Sequence, residues 1–263
     1  MVEVRFLRII AVANQKGGVG KTTSCVNIAA ALGYRGRQVL IVDMDPQGHS
    51  TSGLGIDKGT LSCSVYDVLI NDLSPERAVF PTQWKGVFVL PARLELAGAE
   101  VELVGLLSRE SRLAKALSKI DGFDLALVDC PPSLGLLTVN ALVAAESVIV
   151  PIQCEYYALE GLSQLVGTIE LVKRHLNEKL RIGGVILTMY DGRTNLSKEV
   201  ADEVRRQFPD LVFSTVIPRN VRLSEAPSFG QPVIYYDPQC IGAMAYMSLA
   251  EEVEERWLNK KRP

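Results

Sequence analysis

An apolar run, Ile9-Ile-Ala-Val-Ala13, leads almost directly into Lys16-Gly-Gly-Val-Gly-Lys-Thr-Thr23, and a helical pattern opens at Lys21. Few local sequences constrain a fold more tightly. A strand, a glycine turn and a helix in that order place successive backbone N–H groups around one point, which suits a polyphosphate. The common phosphate-loop spacing, G-x-x-x-x-G-K-[ST], would put its first glycine at position 15. Gln15 stands there instead, and a second lysine, Lys16, opens the loop. The helix that follows carries Ala29-Ala-Ala31 on the way to Gly33, small residues that let it lie close to a sheet.

The rest of the chain repeats the same alternation. Short β-branched runs at Arg8–Ala13, Gln38–Asp43, Val87–Leu90, Asp124–Asp129, Ser147–Ile152, Ile182–Met189 and Val212–Ile217 predict strands. Several are apolar on successive residues, as expected when both faces of a strand are covered. Helical periodicity occupies Lys21–Tyr34, Ala97–Leu107, Arg109–Ile120, Gly161–Leu176, Leu196–Phe208 and Gly242–Leu258. An apolar content of 48% with only 6% aromatics fits an aliphatic parallel-sheet interior. The expected fold is α/β, a doubly wound, mostly parallel sheet with helices on both faces, of the P-loop NTPase kind. With no repeat, low-complexity tract or linker, residues 1–263 read as one domain.

A formal net charge of −2 gives no global signature of nucleic-acid binding, so any such contact must come from a local basic patch. Five scattered cysteines without a C-x-x-C pair point to reduced thiols in a cytosolic protein. The opening residues, broken by Glu3, Arg5 and Arg8, do not read as a signal peptide. No apolar stretch approaches the roughly 20 residues of a membrane span.

Within the loop, Lys21 is placed to reach β- and γ-phosphates and the Thr22 hydroxyl to ligate Mg²⁺. Magnesium also needs carboxylates at neighbouring strand ends. Leu125-Ala-Leu-Val-Asp129 has the form of a Walker B strand, and Val39-Leu-Ile-Val-Asp43-Met-Asp45 ends in two acids and a turn. Asp129 and Asp45 are the candidates for the metal site, and Asp43 for anchoring the loop or holding the ion indirectly.

Together these residues resemble a known family. Lys16-Gly-Gly-Val-Gly-Lys-Thr-Thr23 looks like the deviant Walker A loop of the ParA/MinD group of P-loop ATPases. Asp43-Met-Asp-Pro-Gln-Gly48, Asp129-Cys-Pro-Pro-Ser133, Gln153-Cys-Glu-Tyr-Tyr-Ala-Leu-Glu-Gly161 and Val216-Ile-Pro-Arg-Asn-Val-Arg-Leu-Ser-Glu-Ala-Pro227 are similar to the chromosomal, Soj-type partition ATPases within it. The likeness runs from about residue 8 to about residue 250. It implies ATP/ADP and Mg²⁺ as ligands, with Lys16, Gly17, Gly18, Val19, Gly20, Lys21, Thr22 and Thr23 around the nucleotide. It further implies that Lys16 crosses a dimer interface to the partner's phosphates, where face-to-face anionic clusters would otherwise repel. Gly17 would permit that close approach. Asp45 would position the attacking water, Pro218 and Asn220 would meet adenine, and Glu155 the ribose. The family's acidic loop usually continues with Asn; here His49 follows Gly48, and it reads as a solvated polar residue.

The resemblance also implies non-specific double-stranded DNA binding through Arg193 and Arg222, with Arg219 assisting. Such contacts are made to phosphates and are salt-sensitive. Arg205 and Arg206 read as ordinary surface residues. A homodimer with ATP, a ParB-type centromere-binding partner that stimulates hydrolysis, an added link to a replication initiator in some relatives, and a cytoplasmic, nucleoid-associated location complete the expectation. Three other readings are weaker. A membrane-cycling ATPase needs a basic amphipathic C-terminal helix, whereas Glu251-Glu-Val-Glu-Glu255 is acidic and only Lys260-Lys-Arg262 is basic. An electron-transfer protein of the nitrogenase iron-protein type needs paired cluster cysteines, and Cys130 has no matching Cys-Gly-Gly segment. A DNA-binding scaffold without turnover would have no need for Asp45 beside Lys16 and Lys21.

Overall fold

The computed structural model describes residues 7–155 and 160–259, with the side chains of 160–162 left aside. Its frame is a seven-stranded sheet in the order β3-β4-β2-β5-β1-β6-β7. The strands are β1 (Arg8–Val12), β2 (Val39–Asp43), β3 (Phe80–Pro81), β4 (Val87–Leu90), β5 (Leu125–Asp129), β6 (Ser147–Gln153) and β7 (Arg181–Thr188). All pairings are parallel except β3 with β4. The helices are α1 (Lys21–Tyr34), α2 (His49–Gly53), α3 (Val65–Ile70), α4 (Leu96–Glu102), α5 (Arg112–Leu117), α6 (Leu136–Ala144), α7 (Glu160–His175), α8 (Asn195–Gln207), α9 (Val221–Glu225), α10 (Val233–Tyr236) and α11 (Ile241–Val253).

The central strands are buried on both faces because successive side chains supply two separate cores. Ile10, Val12, Val39, Ile41, Leu125 and Leu127 pack with α1, α10 and α11. Ala11, Leu40, Val42, Ala126 and Val128 pack with α3 to α8. The expected double winding is thereby met. Since β1, β2, β5 and β6 are parallel, Val12, Asp43, Asp129 and Gln153 all end at the same edge of the sheet. That edge holds the functional residues, at the carboxyl ends of the strands where α/β sheets bind ligands.

One expected strand is absent. Val212–Ile217 lies alongside β7 but makes only isolated bridges, Val185 with Val212 and, just beyond it, Tyr190 with Pro218. The reason is local. The N–H groups of Ser214 and Thr215 donate to the Glu252 carboxylate at 2.8 and 2.7 Å, not to the strand, so the ladder breaks between Phe213 and Ile217. The short helices α2, α3, α6, α9 and α10 are also additional to the sequence expectation, and the C-terminal helix ends in a π-helical turn at Glu254–Leu258. Lys260-Lys-Arg262 and part of the Gln153–Gly161 motif lie outside the described residues.

Small residues set the closeness of α1 to the sheet. A Cβ on Gly33 would stand 2.2 Å from the Lys85 carbonyl oxygen on the turn before β4. Alanine there gains about 1 kcal/mol of helix propensity but must push backbone against backbone. Gly33→Ala is therefore expected to destabilise the fold by about 1–3 kcal/mol net, read as a lower urea midpoint with an unchanged slope.

Candidate functional site

The loop between β1 and α1 is built to leave donors unfilled. Gly18 and Gly20 adopt φ of 73° and 88°, conformations that favour glycine. Gly20 caps α1 without a side chain, and no acid stands in the first turn. The first N–H groups of α1 therefore face the loop with no side-chain partner, an arrangement that favours an anion. Two residues hold the loop in place. Asn14 donates to the Pro151 carbonyl at 2.7 Å and accepts from the Lys16 N–H at 3.1 Å. Thr188, at the end of β7, donates its hydroxyl to the Val19 carbonyl at 2.9 Å.

The two lysines differ sharply. Lys21 is buried, and its Nζ donates to the Lys16 carbonyl at 3.1 Å. Burial pulls its pKa below the ordinary lysine value, opposed chiefly by the charge of Asp129 and less by that of Asp45. An ammonium desolvated in this way is poised for anionic oxygen. The Lys16 ammonium has no hydrogen-bond or ion-pair partner among the described residues; the residue is half-buried and is not on the cleft lining, although its neighbours Gly17 and Gly18 are.

The acids sort into separate jobs. Asp43 is fully buried and its Oδ2 accepts from the Thr51 N–H and hydroxyl at 2.8 and 2.7 Å, while Oδ1 accepts from the Asp45 N–H at 3.2 Å. It pins the segment from Asp45 into α2, and Thr51 extends the tie by accepting from the Ala92 N–H at 3.0 Å. Asp129, directly beside Asp43 in the sheet register, accepts a 2.7 Å bond from the Ser50 hydroxyl at Oδ2. Its Oδ1 is buried and has no hydrogen-bond partner among the described residues. Burial raises both carboxyl pKa values; Thr51 opposes this at Asp43, and the Ser50 and Thr22 hydroxyls oppose it at Asp129. Asp45 is half-buried in the cleft, and its Oδ1 accepts from the Gln47 N–H at 2.9 Å.

The fit to magnesium rests on the orphaned Asp129 oxygen next to the Thr22 hydroxyl: a hard-oxygen set that leaves room for water and phosphate. No group of three or more His, Cys, Asp or Glu gathers as a metal cluster among the described residues.

Loop, switch segment and far wall enclose a cleft of about 1000 Å³. Gly17, Gly18, Lys21, Thr22 and Asp45 line one side, Pro131–Ser133 and Glu100 another, and Met189, Pro227, Ser228 and Gln231 a third. Pro218 and Asn220 are not on that lining. Pro218 pairs with Tyr190, next to Met189, and the Asn220 side chain caps α9 by accepting from the Arg222 N–H at 2.8 Å. Glu155 lies in an ion pair with Arg219 at 2.9 Å. His49 is exposed and lines the cleft at the start of α2.

The three arginines expected to meet DNA are each ion-paired within the chain. Arg193 pairs with Asp191 at 2.7 Å, Arg219 with Glu155, and Arg222 with Glu225 at 2.8 Å and Asp237 at 3.1 Å. Three guanidinium groups thus face four carboxylates. All five cysteines are free thiols, with Cys25, Cys130 and Cys154 buried. No helix of the described residues is long and apolar enough to cross a membrane.

Asn14, Ser50, Thr51 and Thr188 were not picked out from the sequence. The hydroxyl run Ser50-Thr51-Ser52 after an acid-terminated strand is a usable signal, because such hydroxyls can hold buried carboxylates. Asn14 and Thr188 carry none, since their partners are carbonyls 137 and 169 residues away.

Residues 7–182 match the AAA domain family. The sporulation initiation inhibitor protein Soj of Bacillus subtilis (strain 168) is 57% identical over 247 residues, covering 94% of this chain and 98% of the relative. The chromosome partitioning protein ParA of Myxococcus xanthus (strain DK1622) is 52% identical over 250 residues, covering 95% and 88%. Among solved structures, a cobyrinic acid a,c-diamide synthase from Mycobacterium smegmatis with bound ADP and magnesium superposes with a TM-score of 0.85 at 42% identity, over 98% of each chain. Sharing more than half its residues with both partition proteins over nearly its whole length, the chain belongs to the ParA/Soj family of chromosome-partitioning P-loop ATPases.

Proposed function

We propose that the chain is an ATP-operated dimer that binds DNA without sequence preference and lets go after hydrolysis. The observation that carries this reading is the pair of lysines. Lys21 is buried inside its own loop, whereas the Lys16 ammonium, at the opening of the same loop, has no partner among the described residues. A cation left unused by its own protomer beside a phosphate loop suits the phosphates of a second copy.

In this reading the N–H groups of Gly17 to Thr23 and the Lys21 ammonium take up the phosphates, with Lys16 supplied across the dimer. Thr22 and Asp129 hold Mg²⁺, which when bound neutralises charge developing on the transferred phosphoryl group. Asp45 orients the attacking water and draws on its proton. Catalysis is then chiefly positioning and charge neutralisation. Gln231 and Pro227 join Pro218 and Asn220 as candidates at the base, and Glu155 at the ribose.

For DNA, Arg193, Arg219 and Arg222 supply the phosphate contacts. Their pairing with Asp191, Glu155, Glu225 and Asp237 suits a surface that is weak in one protomer and effective when two are joined. Exposed ion pairs of this kind contribute little, about 0–1 kcal/mol, so a DNA phosphate can displace the acids. A ParB-type partner then stimulates hydrolysis, and the protein works in the cytoplasm on the nucleoid.

The test is duplex binding with ATP, ADP and no nucleotide. The expected result is tighter binding with ATP than with ADP, and loss of that increment in Arg222→Ala. Equal binding with ADP and ATP in the wild-type chain would refute the switch.

A further inference from the structure

α4 carries an apolar face that its own protomer does not use. The helix runs from Leu96 to Glu102 and continues, still with helical backbone, into a 3₁₀ turn at Leu103–Gly105. Leu96, Ala99 and Leu103 are fully buried and hold it to the core beside α3 and α6. The opposite side is apolar as well. Leu94, Val101, Val104 and Leu107 are 75%, 77%, 58% and 91% exposed, with Ala97, Gly98 and Gly105 exposed between them at helical spacing. A surface helix ordinarily has one apolar stripe, and a second contiguous one marks a face that something covers.

Two observations point to what covers it. The first is charge. Between Leu94 and Leu107 stand Glu95, Glu100 and Glu102, and no lysine, arginine or histidine. The flanking cations are already engaged: Arg93 pairs with Glu95 and Arg109 with Glu110, each at 2.8 Å. Glu102 accepts only from the neutral Tyr66 hydroxyl, at 3.0 Å, so its charge is not neutralised there. The second is Glu100. Its Oε1 is buried without a hydrogen-bond partner among the described residues, and the residue lines the cleft together with Ala97. It packs against Gly135, where the chain coming from Asp129 enters α6. A buried carboxylate oxygen in that state is completed by a cationic donor.

We infer that the outer face of α4 is the docking site of the partner that stimulates hydrolysis, and that the partner lays a basic amphipathic segment along it. The inference rests on the reading given above, in which such a partner acts on the ATP-bound dimer. The aliphatic side chains of the segment cover Leu94, Val101, Val104 and Leu107, and its cations meet Glu102 and Glu100. Because Ala97 and Glu100 belong to both the stripe and the cleft, the segment ends beside the nucleotide, where it acts on turnover. Duplex DNA and anionic lipid fit this face badly, since its acids repel phosphate. The same stripe of a second copy also fits badly, because like charges would meet across the two-fold axis.

The experiment uses the full chain with ATP and Mg²⁺, a ParB-type protein, and a labelled amphipathic peptide of leucine and lysine. The wild-type chain should bind this peptide about tenfold or more tighter than the same peptide with glutamate in place of lysine. Leu94→Ser/Val101→Ser/Leu107→Ser should weaken peptide binding by about tenfold or more and lose stimulation by the ParB-type protein. Its basal turnover, ATP-dependent assembly and unfolding midpoint should stay near wild type. Val101→Ser and Leu107→Ser taken singly should show smaller losses of the same two readouts, so the test does not depend on the folding of the triple variant. If the folded variants bind peptide and respond to the ParB-type protein as wild type does, this inference fails while the nucleotide switch stands. If they lose ATP-dependent assembly itself, the stripe belongs to a second copy and the assignment to the partner is overturned. Equal binding of the two peptides by wild type overturns the basic character of the segment. A wild-type chain that does not assemble with ATP, or that the ParB-type protein does not stimulate, refutes the reading on which this one rests.

Discussion

Asp45→Ala is expected to lower ATP-dependent phosphate release by about 10²–10⁴-fold, the range that loss of a positioned proton acceptor costs, while ATP-dependent dimerisation persists. Asp45 is half-buried in the cleft; its Oδ1 is engaged by the Gln47 N–H, and no hydrogen bond among the described residues engages Oδ2. It is held at its backbone by the Asp43 carboxylate, so its position does not depend on its own side chain. Removing the side chain leaves the loop, Lys21, Thr22 and Asp129 in place. Asp45→Asn is the companion variant. It keeps an acceptor for Gln47 but cannot take up a proton, and it should be equally inactive. Phosphate release and light scattering with ATP, measured on both variants, decide the matter. Wild-type turnover in Asp45→Ala would remove Asp45 from catalysis and return attention to Asp129.

The second large effect is a loss of assembly. Gly17→Val should fold and bind nucleotide normally yet fail to dimerise with ATP, and it should lose ATP-dependent duplex binding with it. The geometry makes this a clean test. A Cβ on Gly17 would meet nothing within 4 Å in its own protomer, and Gly17 is not among the positive-φ glycines. Any obstruction must then come from outside the protomer, and an unchanged nucleotide affinity separates a second copy from the nucleotide itself. Gly18 and Gly20, with φ of 73° and 88°, would be strained by the same change and are poor choices. Unfolding midpoint and nucleotide affinity near wild type, with a monomer in the presence of ATP, is the expected set of results. A stable ATP dimer of Gly17→Val would place Gly17 away from the interface.

Local sequence carried the parts of the protein whose partners lie nearby. The loop of residues 16–23 was legible because its chemistry is a contiguous set of N–H groups, glycines and a lysine. α1 could be bounded at Lys21 and Tyr34 because glycine turns sit at both ends. Asp129 stood out as an acid closing an apolar run. Other features depended on contacts far apart in the chain. The failure of Val212–Ile217 to form a strand follows from Glu252, 37 and 38 residues on, which takes two of its N–H groups. Glycine at position 33, an unfavourable helix residue by propensity, is explained by the Lys85 carbonyl across the fold. The short helices after the acidic strand and around Pro227 were missed because periodicity needs more than one turn to register.

What the sequence determined by itself was the chemistry on offer: a phosphate loop with two lysines, two acid-terminated strands, and the alternation that makes a parallel sheet. These are properties of neighbouring residues, so they survive without coordinates. Only the tertiary structure decided how that chemistry is shared out. It buried Asp43 as an anchor for Thr51, turned Lys21 inward and, among the described residues, left one Asp129 oxygen and the Lys16 ammonium without a partner. It also paired the three expected DNA arginines with acids. Whether a charge is free or neutralised depends on distances between segments that folding brings together, and Coulomb attraction over a few ångströms has no counterpart in sequence spacing.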